Sequence, residues 1–313
     1  MESANLQLHP VPPFDFDLTA GSHTYFRGTY GADMLEEGVY RRLLNVDGKL
    51  LLASVQSAGT ISQPSLAVQV QSNHLGEAEA TAAANVMAWN LGIDSPMEGF
   101  YSSVKDDPVL EGITDQLQGL HPTRAVTVFE ALVLAILGQQ IAAAVARIIR
   151  TLLIETYGAT LEVDGRTYYS FPTTMSLLDA GVEGLRAMKL SQRKAEYVLG
   201  IAREIEEGSL DLEALRLAPD EEVVERVTRL RGVGHWTAHW LLIRALSRTD
   251  GFPAGDLALR RVVSQLYFGG QTLSDQEVEA FSHRWSPYRS YAIVYMFAAA
   301  RLGLIPPVPA PGP

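Results

Sequence analysis

The chain has 313 residues, 47% of them hydrophobic and 19% charged, enough to bury a sizeable core and to divide into two or three domains. It has no cysteine, which excludes disulfides, thiolate zinc sites, cysteine-bound iron–sulfur clusters and cysteine nucleophiles. A net charge of −11 argues, taken globally, against a nucleic-acid partner, whose phosphates dominate affinity.

Along the chain, the opening MESANLQLHPVPPFDFD has no basic region followed by an apolar core, so no secretory leader is expected. The first hundred residues read as α+β. YRRLLNVDGKLLLASV has two strand-like runs around Asp47-Gly48, a good turn dipeptide. SLAVQVQS alternates, with Leu66, Val68 and Val70 on one face. GEAEATAAANVMAWNLG reads as a helix ended by Gly92. From about residue 122 the period is helical. Thr127 and Glu130 make a capping-box pattern, and Phe129, Leu132, Val133, Ile136 and Leu137 an apolar face. Gly138-Gln139-Gln140 interrupts it, so two helices are expected up to Gly158. Another helix runs from the cap Ser191 to the stop Gly208, and one from about Asp220 to a hairpin. Helices follow at 257–266, 275–285 and 289–302. The tail IPPVPAPGP is expected to be extended or disordered. No apolar run reaches membrane-spanning length, the best being cut by Arg301, and no membrane partner is expected.

Charge is uneven. Residues 203–225 hold nine acids and two arginines, whereas 226–261 hold seven arginines and only Asp250 and Asp256 as acids. A local patch, not the total, decides a binding face, although the arginines also balance the preceding acids. Inside the basic window lies LRGVGHWTAHW, residues 230–240. Gly232 and Gly234 permit angles forbidden to other residues and close backbone approach. The amides of the helix starting at Gly234, with Arg229 and Arg231 nearby, would hold one phosphate of a DNA strand. A tight connection between two helices is the other use of Gly-Val-Gly. His235 and His239 have metal-ligand spacing, but no third ligand is evident and a solvated face explains them.

LRGVGHWTAHW resembles the helix-hairpin-helix of the DNA glycosylase superfamily, and GFPAGDLALRRVV resembles its downstream Gly/Pro loop with an aspartate. FEALVLAILGQQIAAAVARI, RWSPYRSYAIVYMF, the early PPFDFD and the sheet-first layout are similar to the 3-methyladenine DNA glycosylase II branch. The resemblance covers nearly the whole chain. It implies an N-terminal α+β domain with an antiparallel sheet (1–96), a helical domain with the hairpin (125–248) and a second helical subdomain (97–124 and 249–313). It implies excision of alkylated bases, chiefly 3-methyladenine and 7-methylguanine, from duplex DNA by a monomeric, cytoplasmic enzyme of bacterial or archaeal type. The rivals are a non-catalytic DNA binder and a glycosylase for oxidised or deaminated bases.

Under this resemblance Asp256 is the catalytic carboxylate, stabilising positive charge on the sugar and orienting or deprotonating water; it is also an ideal helix cap. Trp236 stands where lyase-competent relatives have a lysine, which implies hydrolysis by water without strand cleavage. Trp236 and Trp240, with Phe297 and Leu257 at the edge, would line the base pocket, since aromatic faces attract cationic alkylated purines; ordinary core packing is the alternative. Arg231, Gly232, Val233, Gly234 and His235 would contact DNA, and Gln140 would fill the gap left by the flipped base, with Ile141 the alternative and a simple helix break the other reading. The carbonyls of Thr228, Leu230 and Val233 match positions that hold a monovalent cation in relatives. No other cofactor is implied. Arg289 reads as a structural ion-pair residue.

Overall fold

The structure, a computed structural model, describes residues 1–305, so the tail beyond Ile305 lies outside the described residues. The chain opens with β1 (Glu2–Leu8) and α1 (Phe16–His23), followed by β2 (Thr29–Tyr30), β3 (Asp33–Glu36), β4 (Val39–Val46), β5 (Lys49–Ser57), β6 (Leu66–Ser72) and α2 (Glu77–Asn90). The strands form one antiparallel sheet in the order β1-β6-β5-β4-β3-β2. Asp47 and Gly48 both hold positive φ, as a two-residue hairpin requires. Tyr40, Leu44, Leu51, Val55, Leu66, Val68 and Val70 share the sheet face that packs on Ala83, Ala84 and Met87 of α2. The strand period of two sends Leu43 and Leu52 to the opposite face. The alternation of Ala4, Leu6 and Leu8 with exposed neighbours in β1 and the Asp15 cap of α1 are signals that sequence reasoning missed, whereas β2 and β3 are too short to show a period.

The helical part comprises α3 (Met97–Ser103), α4 (Pro108–Gln116), α5 (Val128–Gly138), α6 (Ala143–Tyr157), the hairpin of β7 (Thr160–Val163) and β8 (Arg166–Tyr169), α7 (Thr174–Ala187), α8 (Gln192–Glu206), α9 (Asp220–Thr228), α10 (His235–Arg244), α11 (Leu257–Tyr267), α12 (Asp275–Ser282) and α13 (Arg289–Arg301). The expected break between α5 and α6 is present. The helix expected over 275–285 stops at Ser282 and tightens into a 3₁₀ turn over His283–Trp285. Only half of the expected capping box at Thr127 forms. Its hydroxyl accepts from the Glu130 amide, but the Glu130 carboxylate turns away to Arg42 of β4.

One apolar core lies among α5 to α10, and a second surrounds α13 with α3, α4, α11 and α12. α10 contributes to both, Leu241 and Leu242 to the first and Ile243 to the second, so its first turn emerges between them. The sheet unit is joined to the helices by Leu18 and Phe26, which pack on the second core, and by polar contacts. Arg42 is buried and bonds both Asp33 and Glu130. Trp89 of α2 lies between the guanidinium groups of Arg124 and Arg216, 4.4 and 4.3 Å from its ring. Such cation–π contacts contribute roughly 0.5–2 kcal/mol each.

Candidate active site

Two helix beginnings converge. α11 starts at Asp256, whose Oδ1 caps it by accepting from the amides of Ala258 (2.8 Å) and Leu259 (2.9 Å). Its Oδ2 accepts from the indole Nε1 of Trp236 (2.9 Å) and of Trp240 (3.2 Å), both on α10. A carboxylate oxygen offers about two lone-pair sites, so four N–H donors fill the group. It is therefore held in one place and orientation. It is half-buried, one indole away from the hairpin.

The tryptophans are in turn oriented by that carboxylate. Their rings meet edge-on at 6.5 Å, and Trp240 faces Phe297 of α13 at 6.1 Å with 34° between planes. Leu257 is 61% exposed beside them, unusual for leucine and suited to a ligand-facing edge. Sequence reasoning missed the cations around this aromatic set. Arg244 lies 5.7 Å from the Trp240 ring and Arg301 lies 5.5 Å from Phe297. Arg301 also covers Tyr25 at 4.0 Å, Arg150 covers Tyr30 at 4.3 Å, and the two tyrosines stack at 4.1 Å. The cluster gathers residues from the N-terminal sheet unit, α6, α10 and α13, which no local pattern reveals.

The hairpin separates the roles of its glycines. Gly232 has φ +88, and a Cβ there would lie 2.1 Å from the Tyr197 ring. Gly234 is extended, a conformation open to any residue, and its Cβ would meet nothing within 4 Å. The conformational demand expected of both glycines thus applies to Gly232 alone; Gly234 contributes open space at the amides of α10. Val233 is buried, its amide bonded to the Leu230 carbonyl at 3.1 Å, while Arg231 and His235 are exposed. Arg229 is ion-paired with Glu225, and Arg231 lies 3.7 Å from Glu196, so the local acids partly balance the arginines. His239 is not solvated as expected. It is half-buried, accepts the Phe252 amide at Nδ1 (3.3 Å), and burial lowers its pKa. Arg289 pairs with Asp250 (3.0 Å) and Glu279 (2.9 Å). Gln140 is exposed at the α5–α6 turn, and Ile141 beside it is half-buried. Among the described residues, no group of three or more histidines and acids is placed to hold a metal ion.

The sequence profile of the HhH-GPD superfamily base excision DNA repair protein matches residues 133–287. A DNA-3-methyladenine glycosylase of Bacillus subtilis is 30% identical over 205 residues, covering 66% of this chain and 68% of the relative. The chain belongs to the HhH-GPD superfamily of base excision DNA repair proteins. Among solved structures, the 3-methyladenine DNA-glycosylase from Archaeoglobus fulgidus superposes with a TM-score of 0.84 at 30% identity, over 95% of this chain and 99% of that one. An 8-oxoguanine glycosylase/lyase of Clostridium acetobutylicum bound to duplex DNA shares the fold, with a TM-score of 0.74 at 20% identity over 96% and 99% of the chains. The superfamily match spans the hairpin, Asp256 and both tryptophans, but stops before Phe297 and omits the sheet unit.

Proposed function

We propose that the protein releases alkylated bases, chiefly 3-methyladenine and 7-methylguanine, from duplex DNA by hydrolysing the N-glycosidic bond, and that it lacks AP-lyase activity. The observation that carries this is the Asp256 carboxylate, fixed by four N–H groups between the hairpin and the aromatic set. As the base departs, C1′ gains positive charge, and a preorganised carboxylate lowers the energy of that charge. With its lone pairs occupied, Asp256 acts as an electrostatic partner rather than a proton acceptor. Water adds to C1′, the C1′–N bond breaks with its electron pair going to the base, and the proton of the attacking water passes to solvent.

Arg244 and Arg301 refine the reading. A cationic base on Trp240 and Phe297 gains from the π faces but feels two guanidinium groups. On leaving it becomes neutral, so that repulsion is relieved along the reaction. Negative charge near the sugar and positive charge near the base therefore favour the same electron movement.

The absence of lyase chemistry rests on Trp236, which cannot form a Schiff base. Burial lowers the pKa of Lys194, but its amine donates to the carbonyls of Leu137 and Gln139, so it is engaged away from the carboxylate. Gln140 would occupy the gap in the duplex, and the α10 amides with Arg231 would hold a phosphate. The backbone carbonyls of Thr228, Leu230 and Val233 are hard oxygen donors of the kind a monovalent cation takes, the Leu230 oxygen sharing itself with the Val233 amide, and a cation held there would strengthen that phosphate contact. We further propose that the enzyme acts as a cytoplasmic monomer.

Release of 7-methylguanine from methylated duplex DNA tests the reading. Asp256→Asn should slow release by about 10²–10³-fold while binding of undamaged duplex persists. Wild-type protein that frees no base, or a variant that matches it, would leave a DNA-binding protein without this chemistry. Borohydride trapping should give no covalent DNA adduct.

A further inference from the structure

α8 touches both parts of the surface assigned to DNA, and nothing in the chemistry above uses it. The α5–α6 turn carries Gln140 at φ +56, a left-handed conformation uncommon outside glycine, with its side chain exposed. Lys194, in the first turn of α8, donates from Nζ to the Leu137 carbonyl at 2.9 Å and to the Gln139 carbonyl at 2.6 Å. The end of α5 leaves such carbonyls without intrahelical partners, and an ammonium there also meets the negative end of the helix dipole. The side chain of Gln139 reaches the other way. Its Nε2 donates to the Gly232 carbonyl at 2.9 Å and to the Thr237 hydroxyl at 3.1 Å. One turn further along α8, the Tyr197 ring closes on Gly232 so tightly that no Cβ fits. The turn, the hairpin and α8 thus form a closed triangle of contacts.

We propose that Lys194 is a positioning residue for base flipping: by tying the Gln140 turn to α8 while Gln139 bolts it to the hairpin, it makes the phosphate contact and the inserted side chain one rigid body. The inference rests on the glycosylase reading, since insertion matters only where a base is extruded. A side chain entering the stack is pushed back by the bases it parts. A turn free to relax towards a right-handed conformation would withdraw it, leaving the hairpin's hold on the phosphate unable to drive extrusion. Removing the ammonium should therefore damage flipping while sparing both binding and bond cleavage.

Single-turnover release separates these steps. Two duplexes are compared, one with 7-methylguanine opposite cytosine and one with it opposite an abasic-site analogue, where no pair must be broken. Lys194→Met in the full chain should slow release from the paired duplex about tenfold or more, and from the unpaired one no more than about twofold. Its affinity for undamaged duplex should stay within about twofold of wild type, and Lys194→Arg, which can donate to the same carbonyls, should recover most of the loss. Equal slowing on both duplexes, no slowing, or a loss of undamaged-duplex affinity matching the loss of rate overturns the inference. If Lys194→Met does not fold, Gln139→Leu frees the same turn from the hairpin; it should slow the paired duplex selectively in the same way, and equal or absent slowing overturns the inference. Wild-type protein inactive on both duplexes would instead overturn the proposed function.

Discussion

Both oxygens of Asp256 are engaged before any substrate arrives, one by helix amides and one by two indoles. The indole bonds make a residue-level prediction. Trp236→Phe keeps an aromatic ring but removes one donor, freeing a lone pair and a degree of motion. Release should fall by about 10–100-fold, with KM changing little, because the loss lies in orientation rather than in substrate contact. An unchanged kcat would show that Trp236 serves the base alone. Tyr25 carries a second prediction at this scale. Burial opposes its ionisation, but Arg244, Arg150 and Arg301 outweigh that and bring its pKa down to about 8. Burial and its stacked neighbour push Tyr30 up to about 12. For Tyr25 the folded pKa lies below the unfolded value of about 10, so its phenolate contributes stability fully present above pH 10 and lost as pH falls through about 8. An ultraviolet difference titration of the folded protein should show one phenolate forming near pH 8, absent in Tyr25→Phe. A protein with no such transition does not hold three guanidinium groups around this phenol.

Among the elements, α10 decides the site, because it supplies open amides in its first turn, two indoles one turn apart and side chains to both helical cores. The two hairpin glycines should then separate in experiment. Gly232→Ala is strained at φ +88 and collides with Tyr197, so it should destabilise the fold by about 1–3 kcal/mol in urea denaturation. Gly234→Ala should leave stability within about 0.5 kcal/mol, yet weaken duplex binding by adding a methyl group where a phosphate would approach. Equal effects would mean that both glycines serve the turn. Much of this scale was legible. Periodicity placed α2, α5, α6, α8 and α11, and Thr127, Ser191 and Asp256 marked helix starts because capping is a local bond between a side chain and an amide two or three residues away. The bonds from Trp236 and Trp240 to Asp256 join residues 20 and 16 apart, on helices whose crossing no periodicity encodes. The Tyr25–Arg301 contact spans almost the full chain and was invisible for the same reason. β7 and β8 did carry a signal: Asp164 and Gly165 repeat the turn chemistry of Asp47 and Gly48, and Thr160, Leu161, Glu162 and Val163 alternate, but four residues are too few to set a strand apart from the helices on either side.

For the whole molecule, the buried Arg42 bridge ties the sheet to α5. Burial works against charge on Asp33, but Arg42 and His23 outweigh it and hold its carboxyl well below the usual range. A depressed carboxylate contributes stability present above its unfolded pKa and lost as pH falls through the folded one, so this junction should survive mild acid. Arg42→Met leaves Glu130 buried without its partner and Asp33 with only His23 and the Tyr40 hydroxyl. It should cost about 3–5 kcal/mol, read by urea denaturation at neutral pH, with part of the loss recovered in mild acid as the Glu130 carboxylate takes up a proton. A loss below about 1 kcal/mol would mean that water enters the junction.

β7 sets Leu161 and Val163 against Leu43 and Leu52, on the far side of the sheet from α2. The middle of the chain thus reaches back to roof over strands made at its beginning. A shortened fragment beginning at α3 would strip the cover from two aliphatic side chains and strand Glu130, so removing the sheet unit should yield an aggregating product rather than a smaller repair protein.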